Sequence, residues 1–183
     1  MQPPRLINDF SNLIPDDLEK NLENKLRSYL DSTSTQIAVV IISSTGAYDI
    51  ADYSIKMVQD AKWKIGQKGK SNGILILVAK DDHTAFIASG YGMEASVTDA
   101  MAKRIIEDNM IPHFKNHEYY EGINEATDVI IKIASGEYKA DENTNNQGGK
   151  FNGRILFYIV IIIVFIFLFS KKKGGRSHYG GSY

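Results

Sequence analysis

The stretch GQKGKSNGILILVAKDDHTAFIASGYGMEASVTD, residues 66–99, decides the fold. Its glycine-rich start feeds an apolar run, ILILVA, of the kind that forms a buried strand. Lys80, Asp81 and Asp82 make a tight acidic turn, and HTAFIAS returns as an antiparallel partner. That second strand ends in another glycine loop, Gly90-Tyr91-Gly92, which leads into a helix. The two glycine loops stand at the outer ends of one hairpin and must therefore lie side by side. Asn72, Gly73, Gly90, Tyr91 and Gly92 are accordingly the expected ligand-binding loops, because glycine lets a backbone approach closely.

Upstream, QIAVVII at 36–42 is apolar on both faces, as a central strand should be. Asp49 then caps a helix with Ile50, Tyr53, Met57, Val58 and Ala61 on one stripe. Strand, helix, strand at this spacing predicts a βαβ unit with parallel strands and a right-handed crossover. Residues 1–12 lack periodicity and are expected to run extended. From Pro15, Leu18, Leu22, Leu26, Tyr29 and Leu30 mark a first helix with acidic residues at its start. After the hairpin, Ser96 or Thr98 caps a helix carrying Met101, Ile105, Ile106 and Met110, which Pro112 should break. Tyr120, Ile123, Thr127, Ile130 and Ala134 form the stripe of a last helix. The expected fold class is α/β: a three-layer α/β/α sandwich around a small mixed sheet, occupying residues 13–138.

The remainder differs in composition. Residues 139–153 form a polar Asn/Gly linker. ILFYIVIIIVFIFLF, from Ile155 through Phe169, contains no charge and is followed by Lys171, Lys172 and Lys173. The expectation is one C-terminal transmembrane helix over 154–170, then a basic and glycine-rich tail over 171–183. The lysines place the C-terminus in the cytoplasm and the domain outside it, in a single-pass cell-membrane protein. MQPPRLINDF has no apolar core of an export signal, so either this is a mature chain with an added methionine, which is the favoured expectation, or the protein is tail-anchored with its domain in the cytoplasm. The absence of cysteine removes thiol catalysis and thiolate metal sites, and a net charge of −1 offers no field for nucleic acid.

Several motifs invite chemistry. Gly69-Lys70-Ser71 ends like a P-loop, but its first glycine would fall at Lys64, and the loop precedes a strand where a P-loop follows one. Gly90-Tyr91-Gly92-Met93-Glu94-Ala95 has the spacing of a dinucleotide fingerprint, but no strand follows its helix. No nucleotide is expected. Glu94 and Asp99 lie nearest the glycine loops. They read either as a hard-cation site with backbone carbonyls, or as a solvated glutamate beside a capping aspartate in Ser96-x-x-Asp99. Asp81 and Asp82 are a secondary acidic turn at the hairpin's far end. His113 and His117 have zinc-pair spacing without the glutamate that should follow the first histidine.

Taken together, QIAVVII, IGQKGKSNGILILVA, GYGMEASVTDA and RIIEDNMIPHFKNHEYYEGI resemble the TPM domain family over about residues 5–136. The resemblance implies an α/β/α sandwich, calcium binding in some members, weak acid phosphatase activity in a plant relative, and accessory roles in membrane complexes. It assigns motif positions to Asp9, Asn72, Gly73, Gly90, Gly92, Glu94 and Asp99, and it marks Ile14 as a departure where relatives often carry a helix-capping serine. The leading expectation is thus a membrane-anchored, extracytoplasmic module that assists an envelope protein complex. It would bind Ca2+, or Mg2+, through Asp9, Glu94 and Asp99. The alternative is a weak metal-assisted acid phosphatase, and a third reading is a structural spacer for the tail.

Overall fold

The structure, a computed structural model, describes residues 5–60, 63, 65–66 and 69–137. Four strands form one mixed sheet in the order β1 (Ile7–Asp9), β2 (Gln36–Ile42), β3 (Gly73–Ala79), β4 (Thr84–Ser89). The first three are parallel and β4 is antiparallel to β3. The helices are α1 (Asp16–Thr33), α2 (Ile50–Gln59), α3 (Asp99–Ile105), α4 (Ile111–Lys115) and α5 (Tyr119–Ala134).

The period of two in β2 and β3 sorts their side chains into two cores. Ile37, Val39, Ile41, Ile74, Ile76 and Val78 face α1, α3 and α5, while Ala38, Val40, Leu75 and Leu77 face Met57 of α2. The sheet is therefore covered on both faces, as a sequence apolar on both sides requires. The α1 and α2 crossovers step the same way across the sheet but cover opposite faces, so they are of opposite hand. One of them breaks the right-handed rule.

Local chemistry explains most boundaries. Asp49 accepts the N–H groups of Ala51 and Asp52 at 2.9 and 3.4 Å, and Thr98 accepts that of Met101 at 3.3 Å. The capping residue of α3 is thus Thr98, with Asp99 in the first turn. The N-terminus of α1 has no side-chain cap; Ile14 is buried in the main core and donates its N–H to Asp9 at 2.8 Å.

The expected break at Pro112 does not occur. The chain runs from α3 into a π-helical segment, Ile106–Met110, and on into α4 with Pro112 in its first turn. The N–H of Ile111 reaches back to the carbonyl of Ile106, five residues away. A proline ring clashes with the carbonyl four residues earlier in an α-helix, and the wider π-turn relieves that clash where the two segments meet.

The segment expected to be merely extended supplies the edge strand β1. The transmembrane helix is a correction. Among the described residues no helix is long and apolar enough to cross a membrane, and the expected helix over 154–170 lies outside the described residues, as do residue 138, the linker 139–153 and the tail 171–183. The described residues form the sandwich alone, and neither the single-pass topology nor the extracytoplasmic placement expected from the sequence has support in them.

Candidate functional site

The juxtaposition of the glycine loops is realised by direct backbone contact. The N–H of Gly90 donates to the carbonyl of Gly73 at 2.7 Å, and that of Gly92 to the carbonyl of Ser71 at 3.1 Å. Gly66 and Gly73 stand back to back: a Cβ on either would come within 2.7 Å of the other's amide nitrogen. Two side chains lock this junction to the rest of the fold. Asn72 Nδ2 donates to the carbonyl of Ser34 at 2.6 Å, and Gln36 Oε1 accepts the N–H of Gly66 at 2.8 Å.

Beside the junction runs a groove of about 1590 Å3. Its floor is the β4 edge from Ala85 to Ser89 and the Gly90-Tyr91 loop after it, with Ile55 and Val58 of α2 on one wall and Ala102 and Ile106 on the other. Glu94 and Asp99 line its glycine-loop end, with Lys103 and Glu107 further along. Lys103 Nζ lies 3.8 Å from a Glu107 carboxylate oxygen, whereas Glu94 and Asp99 make no hydrogen bond or ion pair among the described residues. Tyr91 is largely exposed at the groove's end.

Asp9 is not brought there. It pairs with Ile41, and Ile41 with Val78, at the carboxyl ends of the parallel strands. Gly73 lies five residues back along β3, about 17 Å at ~3.3 Å per residue. The Asp9 carboxylate is occupied in closing its own loop, accepting the N–H groups of Ser11, Leu13 and Ile14 at 2.7–2.9 Å. Asp82 shares that end of the sheet. It accepts from Ser44 Oγ at 2.7 Å and from the N–H and hydroxyl of Thr45 at 2.8 and 3.2 Å. The Thr45 N–H bond, then the Ser44 bond, hold its carboxyl below the usual range. Ser11 and Ser43 are also 3.4 Å apart there. Sequence reasoning missed these serines and Thr45. The parallel βαβ unit, which gathers strand carboxyl ends beside the Asp81–Asp82 turn, was the available signal.

The calcium site is a correction too. Among the described residues no three His, Asp or Glu side chains converge as a metal cluster, and a protein-built calcium cage needs six to eight oxygen ligands. Nor do the histidines pair. Nδ1 of His113 contacts Glu118 at 2.9 Å and Nε2 contacts Glu125 at 3.0 Å, while Nδ1 of His117 faces the Tyr119 hydroxyl at 3.5 Å.

With this geometry, the sequence profile of the TPM domain matches residues 7–133. The chain belongs to the TPM domain family. The solution structure of the N-terminal domain of a P. gingivalis protein is similar at 28% identity and a TM-score of 0.66, over 75% of this chain and 89% of that one. BA42 from the psychrophilic bacterium Bizionia argentinensis (19% identity, TM-score 0.58, 75% and 92% covered) shares the fold. So does the N-terminal domain of cg2496 from Corynebacterium glutamicum (14%, 0.55, 79% and 90%). No curated protein matches. Membership supports the sandwich and leaves the membrane anchor without support.

Proposed function

We propose that this TPM domain hydrolyses phosphate monoesters slowly at the glycine-loop end of the groove. The observation that carries this is the pair of exposed carboxylates, Glu94 and Asp99, which line one cleft and are engaged by nothing else among the described residues. The family's own designation as TPM phosphatase points the same way. Two carboxyl groups flanking a scissile bond can divide acid and base work. A water oxygen attacks phosphorus and the ester P–O bond breaks. One carboxylate takes the water's proton, and the leaving oxygen receives a proton from the other carboxyl.

Among the described residues no third ligand converges on the two carboxylates, which does not fit a resident cation. It does fit Mg2+ or Ca2+ entering with the substrate, because Mg2+ is commonly held by one or two carboxylates plus phosphate oxygens. Such an ion would supply neutralisation of phosphoryl charge.

The test is hydrolysis of p-nitrophenyl phosphate by the full chain, with and without EDTA. Glu94→Gln and Asp99→Asn should each lower kcat by about 100-fold, the lower range for loss of an acid–base group. Undiminished turnover in both variants rejects this site.

A further inference from the structure

The two edges of the sheet are treated differently. At the β1 edge, one Glu23 carboxylate oxygen accepts the N–H groups of both Leu6 and Ile7 at 2.8 Å. At the β4 edge no described residue plays that part. The bonds from Gly90 to Gly73 and from Gly92 to Ser71 set the phase of the antiparallel ladder. Even-numbered residues of β4 bond β3, and Ala85, Ile87 and Ser89 turn their N–H and C=O groups away from it. Among the described residues these outward backbone groups have no partner, although Ile87 is only 2% exposed. An unpaired edge at the floor of an apolar cleft is costly unless something completes it.

We propose that the β4 groove binds an extended polypeptide segment as a fifth strand. Partner main-chain groups would pair with Ala85, Ile87 and Ser89, a run of about five residues or ~17 Å. Side chains of one parity would meet the apolar α2 wall, where Ile55 is 44% exposed, and those of the other parity would meet the α3–α4 wall, which carries Asp99 and Glu107. The charged lining on that side and at the adjoining glycine loop, among the described residues, is Glu94, Asp99 and Glu107 against Lys103, so the segment that fits alternates apolar with basic residues. A second copy of the chain fits poorly, because β4 is recessed between α2 and the α3–α4 segment and two recessed edges cannot meet. The segment would share Glu94 and Asp99 with the proposed hydrolytic site, but its readout, protection of the β4 amides, does not depend on turnover.

The test uses the 15N-labelled full chain and a short capped peptide of alternating valine and lysine. Expected are saturable shifts at the amides of Ala85, Ile87 and Ser89, with hydrogen exchange there slowed at least about 10-fold. The peptide with glutamate in place of lysine should bind at least about 10-fold more weakly. Ala85→Pro removes an outward N–H and no bond to β3, and should weaken binding about fivefold, the equivalent of one hydrogen bond. Shifts without slowed exchange at these three amides would reduce the effect to charge attraction and overturn the proposal. So would the absence of saturable binding, or protection of the same amides by raised protein concentration alone, which would assign the edge to a second copy.

Discussion

Gly90 lies directly against the backbone of Ser71: a Cβ added to Gly90 would sit 2.3 Å from the Ser71 carbonyl oxygen. The glycine is needed for space rather than for an unusual φ, since it is absent from the positive-φ positions that include Gly66 and Gly69. The obstacle is main chain and cannot rotate aside. Gly90→Ala should therefore destabilise the fold by about 1–3 kcal/mol, the usual range for overpacking. Urea unfolding measures this, and a variant as stable as the parent would mean the loops can separate freely.

Asp82 anchors the 43–47 loop. Its carboxyl is held below the ordinary value, so the stability it contributes is present above the unfolded pKa and is lost as pH falls through the folded one. Asp82→Ala should lower Tm at neutral pH, with the difference from the parent shrinking on acidification. Amide exchange at Thr45 should quicken. Because Asp82 lies at the far end of β3 from Glu94, phosphate ester turnover at a temperature where the variant is folded should be unchanged. If turnover collapses while Glu94→Gln retains it, the chemistry belongs to the carboxyl end of the sheet.

The hairpin and both central strands were legible because burial on two faces demands unbroken apolar runs such as QIAVVII and GILILVA. Contact between the glycine loops followed from hairpin geometry alone. β1 was not legible: three residues are too few to show a period, and its pairing depends on Val39 and Ile41 far along the chain. The placement of Asp9 was lost with it, since strand direction decides which end of the sheet a residue reaches. Pro112 misled because its ordinary effect is absorbed by the π-helical segment before it, whose Ile106 and Met110 pack in the main core with Ile123, Ala126 and Ile130 of α5. The opposite hands of the two crossovers likewise depend on which face each helix covers, which no local pattern encodes.

Glu23 holds the β1 edge with a single carboxylate that also pairs with Arg27 at 2.5 Å. Removing it leaves the N–H groups of Leu6 and Ile7 unsatisfied beside a buried core. Glu23→Ala should cost about 2 kcal/mol, the scale of losing a charged hydrogen-bond acceptor. Hydrogen exchange should rise first at Leu6 and Ile7 while Ile76 and Leu77 in β3 stay protected to the global limit. Uniform loss of protection across the sheet would show instead that β1 is part of one cooperative unit.

His113 bridges α4 and α5 through two carboxylates, and Asn109 Nδ2 also donates to Glu125, at 3.1 Å. Its bond to Glu118, then that to Glu125, raise its pKa above the ordinary histidine value of 6.5. With both ring nitrogens donating, the imidazolium is the form that satisfies both partners. A raised folded pKa means that the contribution is complete below the unfolded value and fades as pH climbs through the folded one. The fold should thus lose a small increment of stability between about pH 6.5 and the region above it. His113→Gln should flatten that part of the Tm-against-pH curve without altering the acid limb governed by Asp82. Histidine ring shifts followed by NMR give the direct check. Titration of His113 at or below the ordinary value would show that the two glutamates do not act on the ring in solution.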